Sequence, residues 1–502
     1  MSAGAHQKNI DEGTILKNTK GMKKVFAFIL SVSASLVLAD DVKISGLKEG
    51  YENLNTELIQ KAIDDCSSSG GGAVIFPSGT YKTGFFVMKD NVVLKLKPDT
   101  IILGSENPSD YPKLNIPTAD NDFNYTLIYA KNAKNIGIEG GTIRGQGEKF
   151  PSKGEARRHR PRNILFDGCT NVNLNNLTML APAFWNAFFL HCDGVNLDRL
   201  NIYVQANHNN DGLDIASKNV KITNCIINAV DDGICLKNEH SQDFVVENIT
   251  IENCAIASSC NFIKIGTGTQ SDFKNLKVRN CVLSRPSKDT PIKWWRNKSL
   301  GVDEGLDTGL AGIALEAVDG GKIDGVEIEN VSMTGVQTPI FIRVDNRDRN
   351  NTTGKKSSAK NIFMKNITAV SDSFITSSIT APKGYELENV VIENCIFDIK
   401  GGVEEKAIHN KIREPKKAYP ENRMFGRMLP AYGFFIRNAK NITFANIQLI
   451  THNAPEFRHA FYAENTKNLV LKDCFFQKPA GNAETLKFVN SQYKIEGRFT
   501  EQ

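Results

Sequence analysis

Two short carboxylate clusters carry the most chemistry in this chain: Asn209-Asn210-Asp211-Gly212-Leu213-Asp214 and, twenty residues on from Asp211, Asp231-Asp232-Gly233. Stacked one above the other, Asp211, Asp231 and Asp232 would share one face, and like charges that close cannot all ionise at neutral pH. A carboxyl kept protonated beside an ionised neighbour can protonate a leaving oxygen while activating water, which is what splitting a glycosidic bond requires. Two other readings stay open. Asp and Gly also serve turns through side-chain to backbone hydrogen bonds, and grouped carboxylates can hold calcium. A single Asp-Gly would be read as a turn; two clusters about one structural repeat apart favour chemistry.

The elements that must position these clusters are visible as a repeat, Lys-Asn-hydrophobic-x-hydrophobic-x-Asn-x-x-hydrophobic. Copies begin at Lys134, Thr170, Asp193, Lys218, Glu247, Lys274, Asp324, Lys360, Glu388, Lys440 and Lys467. Most starts lie 23 to 29 residues apart and two lie 36 apart, while offsets of 50 and 52 would each hide an unmarked coil or a long loop. Apolar and polar residues alternate within each copy, as in a short strand, and no helix-long periodic segment separates the copies. The pattern predicts an all-β chain, a single-stranded right-handed parallel β-helix, since propeller blades of about 40 to 50 residues do not fit these offsets. A short N-terminal capping helix is expected over 58–66, with Leu58, Ile59, Ala62 and Ile63 on one face, followed by two strands around a Pro77-Ser78-Gly79 turn.

Composition agrees with a globular chain. Of 502 residues 40% are hydrophobic and 23% charged, which excludes a disordered chain and a polytopic membrane protein. The net charge is +5, and residues 1–39 hold five lysines against Asp11 and Glu12, so the rest carries only about +2, which argues against a nucleic-acid partner. Met22-Lys23-Lys24, the apolar stretch 25–38 and the small-residue positions Val37 and Ala39 have the layout of a signal peptide over 22–39. Residues 1–21 then read as an upstream extension or artefact, 40–502 as the β-helix catalytic domain, and the location as secreted or periplasmic with no membrane anchor. Among ten cysteines, Cys225, Cys254, Cys281 and Cys395 each follow Asn at one repeat position. This predicts buried free thiols stacked in a ladder rather than a disulfide map.

In their joint order, "NTELIQKAIDDC", "GGGAVIFPSGTYKTG", "GGTIRGQG", "RPRNILFDGC", "NNDGLD" and "DDGICLKNE", spread over residues 53–345, make the chain resemble glycoside hydrolase family 28, the polygalacturonase and rhamnogalacturonan hydrolase family of pectin-lyase-like β-helices. The resemblance implies that Asp231 is the general acid, that Asp211 and Asp232 position and deprotonate the attacking water with inversion, and that no cofactor or metal is needed. It implies a pectic polysaccharide as the partner; nothing in the sequence indicates an oligomer, so a monomer is expected.

Departures matter as well. Cys260-Asn261-Phe262 stands where the family carries Gly-His-Gly, so Asn261 replaces an assisting His. Ala314-Leu315-Glu316 stands where it carries Arg-Ile-Lys, and Glu316 would repel a uronate there. That moves the expected substrate toward rhamnogalacturonan or another mixed pectic backbone. Further candidate substrate-binding residues are Asn209, Lys237 and Lys264, with Lys264 alternatively neutralising the acids. Arg158 lies in the basic stretch 155–162, which reads equally as a solvated loop, and Trp294 lies on an expected loop; His208 and His240 are candidates to replace the His. A non-catalytic glycan-binding β-helix and a polysaccharide lyase on the same scaffold are the alternatives. Endo or exo action is open.

Overall fold

The computed structural model describes residues 41–502 apart from 117–122, 240, 242, 287–307, 350, 352–353, 416 and 454. The expected signal peptide, Trp294 and His240 therefore lie outside the described residues.

Each repeat copy forms a strand that pairs in parallel with the copy before and the copy after. Ile222, for example, registers with Leu197 on one side and Ile251 on the other, and the row continues through Val278, Ile328, Met364, Ile392 and Phe444. These inward side chains are almost fully excluded from water, each contributing roughly 1.5–3 kcal/mol by burial. The repeated Asn residues explain the turns. Asn219, Asn248 and Asn275 all have φ between 55° and 57°, a left-handed conformation that Asn tolerates better than other side chains. Their amides stack: Asn248 donates to Asn219 at 3.0 Å and Asn275 to Asn248 at 3.1 Å. A second row runs through Asn253, Asn280, Asn330, Asn366 and Asn394.

Neither long offset hides an unmarked coil: Lys274 pairs directly with Asp324, and Glu388 with Lys440. The stack also begins earlier than the repeat copies indicate: Val92–Leu96, opened by Asp90-Asn91, pairs with Lys134–Glu139. The helix spans Thr56–Ser68 and buries Ile59, Ala62, Ile63 and Cys66. Leu58 is only partly buried against the core. All ten cysteines are free and buried. Cys281 registers with Val331 and Cys395 with Ile447, so thiols and aliphatic side chains share one inward row.

Candidate active site

The loop 205–212 is built around Asn210, whose carboxamide oxygen accepts from the N–H of Ala206 (3.0 Å) and Asn207 (2.7 Å), while its NH2 donates to Pro182 O and Phe184 O. From outside, the buried Arg160 guanidinium donates to Asn207 Oδ1, His208 O and Asn209 Oδ1 at 3.2, 2.6 and 3.1 Å. The Arg160 guanidinium carbon lies 5.4 Å from the ring centroid of Phe123 and 5.1 Å from that of Phe184. Asn209, fixed in this way, donates to Asp231 Oδ2 at 3.3 Å.

The two Asp-Gly pairs lie on adjacent rungs. Gly212 N donates to Asp232 O at 2.9 Å, Asp231 N to Asn210 O at 3.2 Å, and Leu213 registers with Ile234, which sets Asp211 beside Asp232. Both glycines answer a close approach and not a turn: a Cβ on Gly212 would lie 2.4 Å from Gly233 O, and one on Gly233 2.7 Å from Phe262 O. A larger residue would push apart the rungs that bring the acids together.

Asp211 and Asp232 are buried and Asp231 is half-buried. Two lysines, themselves only 7% (Lys237) and 3% (Lys264) exposed, are set among them. Lys237 Nζ lies 3.0 Å from Asp211 Oδ2 and 2.6 Å from Asp214 Oδ1, over the Trp185 ring at 3.7 Å. Lys264 Nζ lies 3.1 Å from Asp232 Oδ2 and 3.8 Å from Glu316 Oε2. Asn261 donates to the other oxygen of Asp232 at 2.7 Å.

These environments separate the acids. Burial drives Asp211 well above the usual carboxylate range, Lys237 opposing and Asp214, Asp231 and Asp232 adding to the rise. Burial also acts against Asp232, yet Lys264, Lys237 and the Asn261 hydrogen bond outweigh it and hold Asp232 at about 2. Both lysines are held well above their ordinary value by the carboxylates, against burial.

Glu316 is 1% exposed and, through burial that Lys264 only partly offsets, is pushed up to about 8. It is thus neutral through the acidic and neutral range, so the repulsion of a uronate expected from its sequence position, which needs an ionised carboxylate, does not operate there. Between pH 4.5 and 8 the folded state holds a proton at Glu316 that the unfolded chain releases, so Glu316 lowers stability progressively as pH rises. We expect Glu316→Gln to be about as stable as the parent at pH 5 and more stable by about 2–4 kcal/mol at pH 9. Urea unfolding at the two pH values checks this, and an equal effect at both would sink it.

The other expected site residues separate into two groups. Asn209, Asn261, Lys237, Lys264 and Glu316 converge on the three aspartates. Arg158 is partly exposed on the single turn Glu155–His159 and pairs with Glu155 at 3.3 Å. The buried arginines of that stretch are Arg160 and Arg162. His208 is half-buried, and burial, with Arg160 nearby, lowers its pKa. In the sequence Arg160 stood only within the basic stretch and Asp214 only within the first cluster, without a role for either; missed were Trp185 and Tyr419, whose ring centroid stands 5.9 Å from Lys264 Nζ. Only "RPRN" before a strand hinted at Arg160. Ligand atoms of Asp231, Asp232 and Cys260 lie within 4.8 Å of one another, the only such group among the described residues. Asp232 there already has both oxygens engaged, and Lys264 supplies positive charge.

The family model described as glycosyl hydrolases family 28 matches residues 73–304, the span that contains both acid clusters. A polygalacturonase of Gossypium hirsutum is 25% identical over 391 residues, covering 73% of this chain and 87% of that protein. Among solved structures, the family 28 exopolygalacturonase of Yersinia enterocolitica superposes with a TM-score of 0.61 at 18% identity, over 91% of this chain and 78% of that one. The Streptococcus pneumoniae surface adhesin PfbA does so at 0.55 and 14%, over 83% and 93%. A fold shared by an adhesin and an exopolygalacturonase does not decide between binding and catalysis; the sequence match does, since residues 73–304, which hold both acid clusters, match glycosyl hydrolases family 28, enzymes acting on O-glycosyl bonds.

Proposed function

We propose that residues 40–502 form a right-handed parallel β-helix, monomeric and exported by a signal peptide at 22–39, that hydrolyses α-glycosidic bonds of a pectic backbone with inversion. The hand follows from the preference of parallel crossovers. Among the described residues no helix is long and apolar enough to cross a membrane.

The observation that carries the catalytic reading is the unequal treatment of the three acids. Asp232, ionised down to about pH 2 between Lys264 and Asn261, suits the base. With Asp211 beside it, it holds a water and takes that water's proton as the oxygen bonds to the anomeric carbon. Asp231, the least buried and in contact with the Asn209 amide, gives its proton to the leaving oxygen as the glycosidic bond breaks. Each turnover consumes one water and leaves the two acids to exchange a proton with solvent. In this reading Lys237, Lys264 and Arg160 position the acids, and Asn209 and Asn261 line the cleft.

For the substrate, the relatives named polygalacturonase support a pectic chain. On the leaving-group side Ala314 registers with Lys264, offers no cation and is covered by Met424, and Glu316 is neutral. This favours a neutral sugar there, as in rhamnogalacturonan. Reducing-sugar release from rhamnogalacturonan and not from polygalacturonan is expected, without the ultraviolet-absorbing products of a lyase. Release from polygalacturonan alone would overturn the neutral subsite, and silence on both would favour a glycan-binding role.

A further inference from the structure

The outer face of the sheet that carries the acids is unevenly covered. Along one row its outward positions run Asp214, Cys235, Lys264, Ala314 and Phe341. From Ala314 onward the loop of the 52-residue coil lies on this row: Met424 packs on Ala311, Ala314 and Phe341, and Phe425 meets Phe435 edge-on at 5.8 Å.

The loop is fastened at both ends of this crossing. Asn422, which is buried, donates to Leu310 O at 3.0 Å, Thr338 Oγ1 at 3.1 Å and Gln337 Oε1 at 3.2 Å, and Arg423 donates to Gln337 Oε1 at 3.0 Å. Upstream, Ile412 O accepts from Arg437 at 2.6 Å, and Glu414 accepts from Arg343, which is fully buried. These bonds span 71 to 112 residues of sequence in the Glu414 and Asn422 cases.

Between the two fastenings stands Tyr419, 55% exposed, its ring centroid 5.9 Å from Lys264 Nζ and 5.9 Å from the Arg347 guanidinium carbon. An aromatic ring held by such anchors, yet open to water next to the lysine that holds Asp232, is placed to take the apolar face of a pyranose. Successive rungs are about 4.8 Å apart, comparable to one sugar unit, so a polysaccharide running along the sheet past Asp232 meets Tyr419 within one or two sugars.

We infer that this loop closes the groove on the Ala314 side, with Tyr419 as the end wall that stacks a terminal sugar, so that the enzyme removes short units of fixed length from a chain end. The inference rests on the hydrolase reading above.

The test follows product sizes from the first seconds of digestion of long-chain polygalacturonan and rhamnogalacturonan, with Tyr419→Ala, Tyr419→Phe and the double variant Asn422→Ala/Arg423→Ala alongside. One short product from the start is expected for the parent, with viscosity falling late. Tyr419→Ala should raise KM roughly 3- to 10-fold with kcat within about twofold, and Tyr419→Phe should restore it. The double variant, with the loop unfastened, should release a mixture of lengths. A ladder of all lengths from the parent would overturn the stop while leaving the hydrolase intact, as would an unchanged KM in Tyr419→Ala. No release from either polymer would overturn the hydrolase reading and the stop with it.

Discussion

Asp231→Asn is expected to lower kcat by roughly 10²- to 10⁴-fold, the range for loss of a positioned proton donor, while the melting temperature stays close to that of the parent. The substitution keeps size and shape, and Asp231 is the least buried of the three acids. Asp232→Asn makes the informative contrast. It strands the buried Lys264 ammonium, which sits 3.1 Å from Asp232 and 3.8 Å from Glu316, so it should cost both turnover and stability. The measurement is initial rate and thermal melting on the same preparations. An Asp231→Asn variant with more than about a tenth of parental kcat would remove Asp231 from the acid role.

The pH profile separates the remaining assignments. A general base must be deprotonated to work, so activity falls as pH drops through its pKa. If Asp232 is the base, that limb lies near its value of about 2. If Asp211 is the base, the limb lies well above the ordinary carboxylate range, because burial and three neighbouring acids raise it.

Lys237→Met should be the most destabilising single change in the site. It removes the countercharge of Asp211 and Asp214, both buried, and loss of one partner from a buried ionic cluster costs about 3–5 kcal/mol. The pH dependence has a definite sign. Without Lys237 both aspartates have folded-state pKa values raised above the unfolded ones, so the folded state binds more protons than the unfolded chain, and stability falls as pH rises through that window. The deficit should therefore be largest at pH 7 and shrink toward pH 4. Denaturant unfolding at the two values decides; a deficit under about 1 kcal/mol, or one indifferent to pH, would mean that the cluster does not depend on Lys237 for its charge balance.

The repeat was legible because one physical need recurs in every coil: a residue that tolerates φ near 55° and can bond its own kind above and below, which is Asn. The acid clusters were legible because their spacing nearly equals a coil. The coil before the one opened by Lys134 escaped notice because the copy opened by Asp90-Asn91 has Leu96 where the repeat places its second Asn. The long offsets were ambiguous because a sequence pattern cannot tell an extra coil from an excursion. Tyr419, Asn422 and the role of Arg160 were hidden for another reason: they depend on contacts across 47 to 155 residues that no local spacing encodes. Glu316 was found at its position, but its charge state is a property of burial against Lys264 and not of its type.

The stacked Asn amides have a consequence for how such a chain can change. The coil between Lys274 and Asp324 and the coil between Glu388 and Lys440 are about twice as long as their neighbours, yet Asn280 still bonds Asn330 at 3.1 Å and Asn389 still bonds Asn441 at 3.0 Å. The rack is indifferent to what leaves it between two amide rungs, provided the chain returns in register. Loops of new length can be grafted beside the acids without disturbing them, so the range of polymers accepted can drift by insertion and deletion while the chemistry stays fixed.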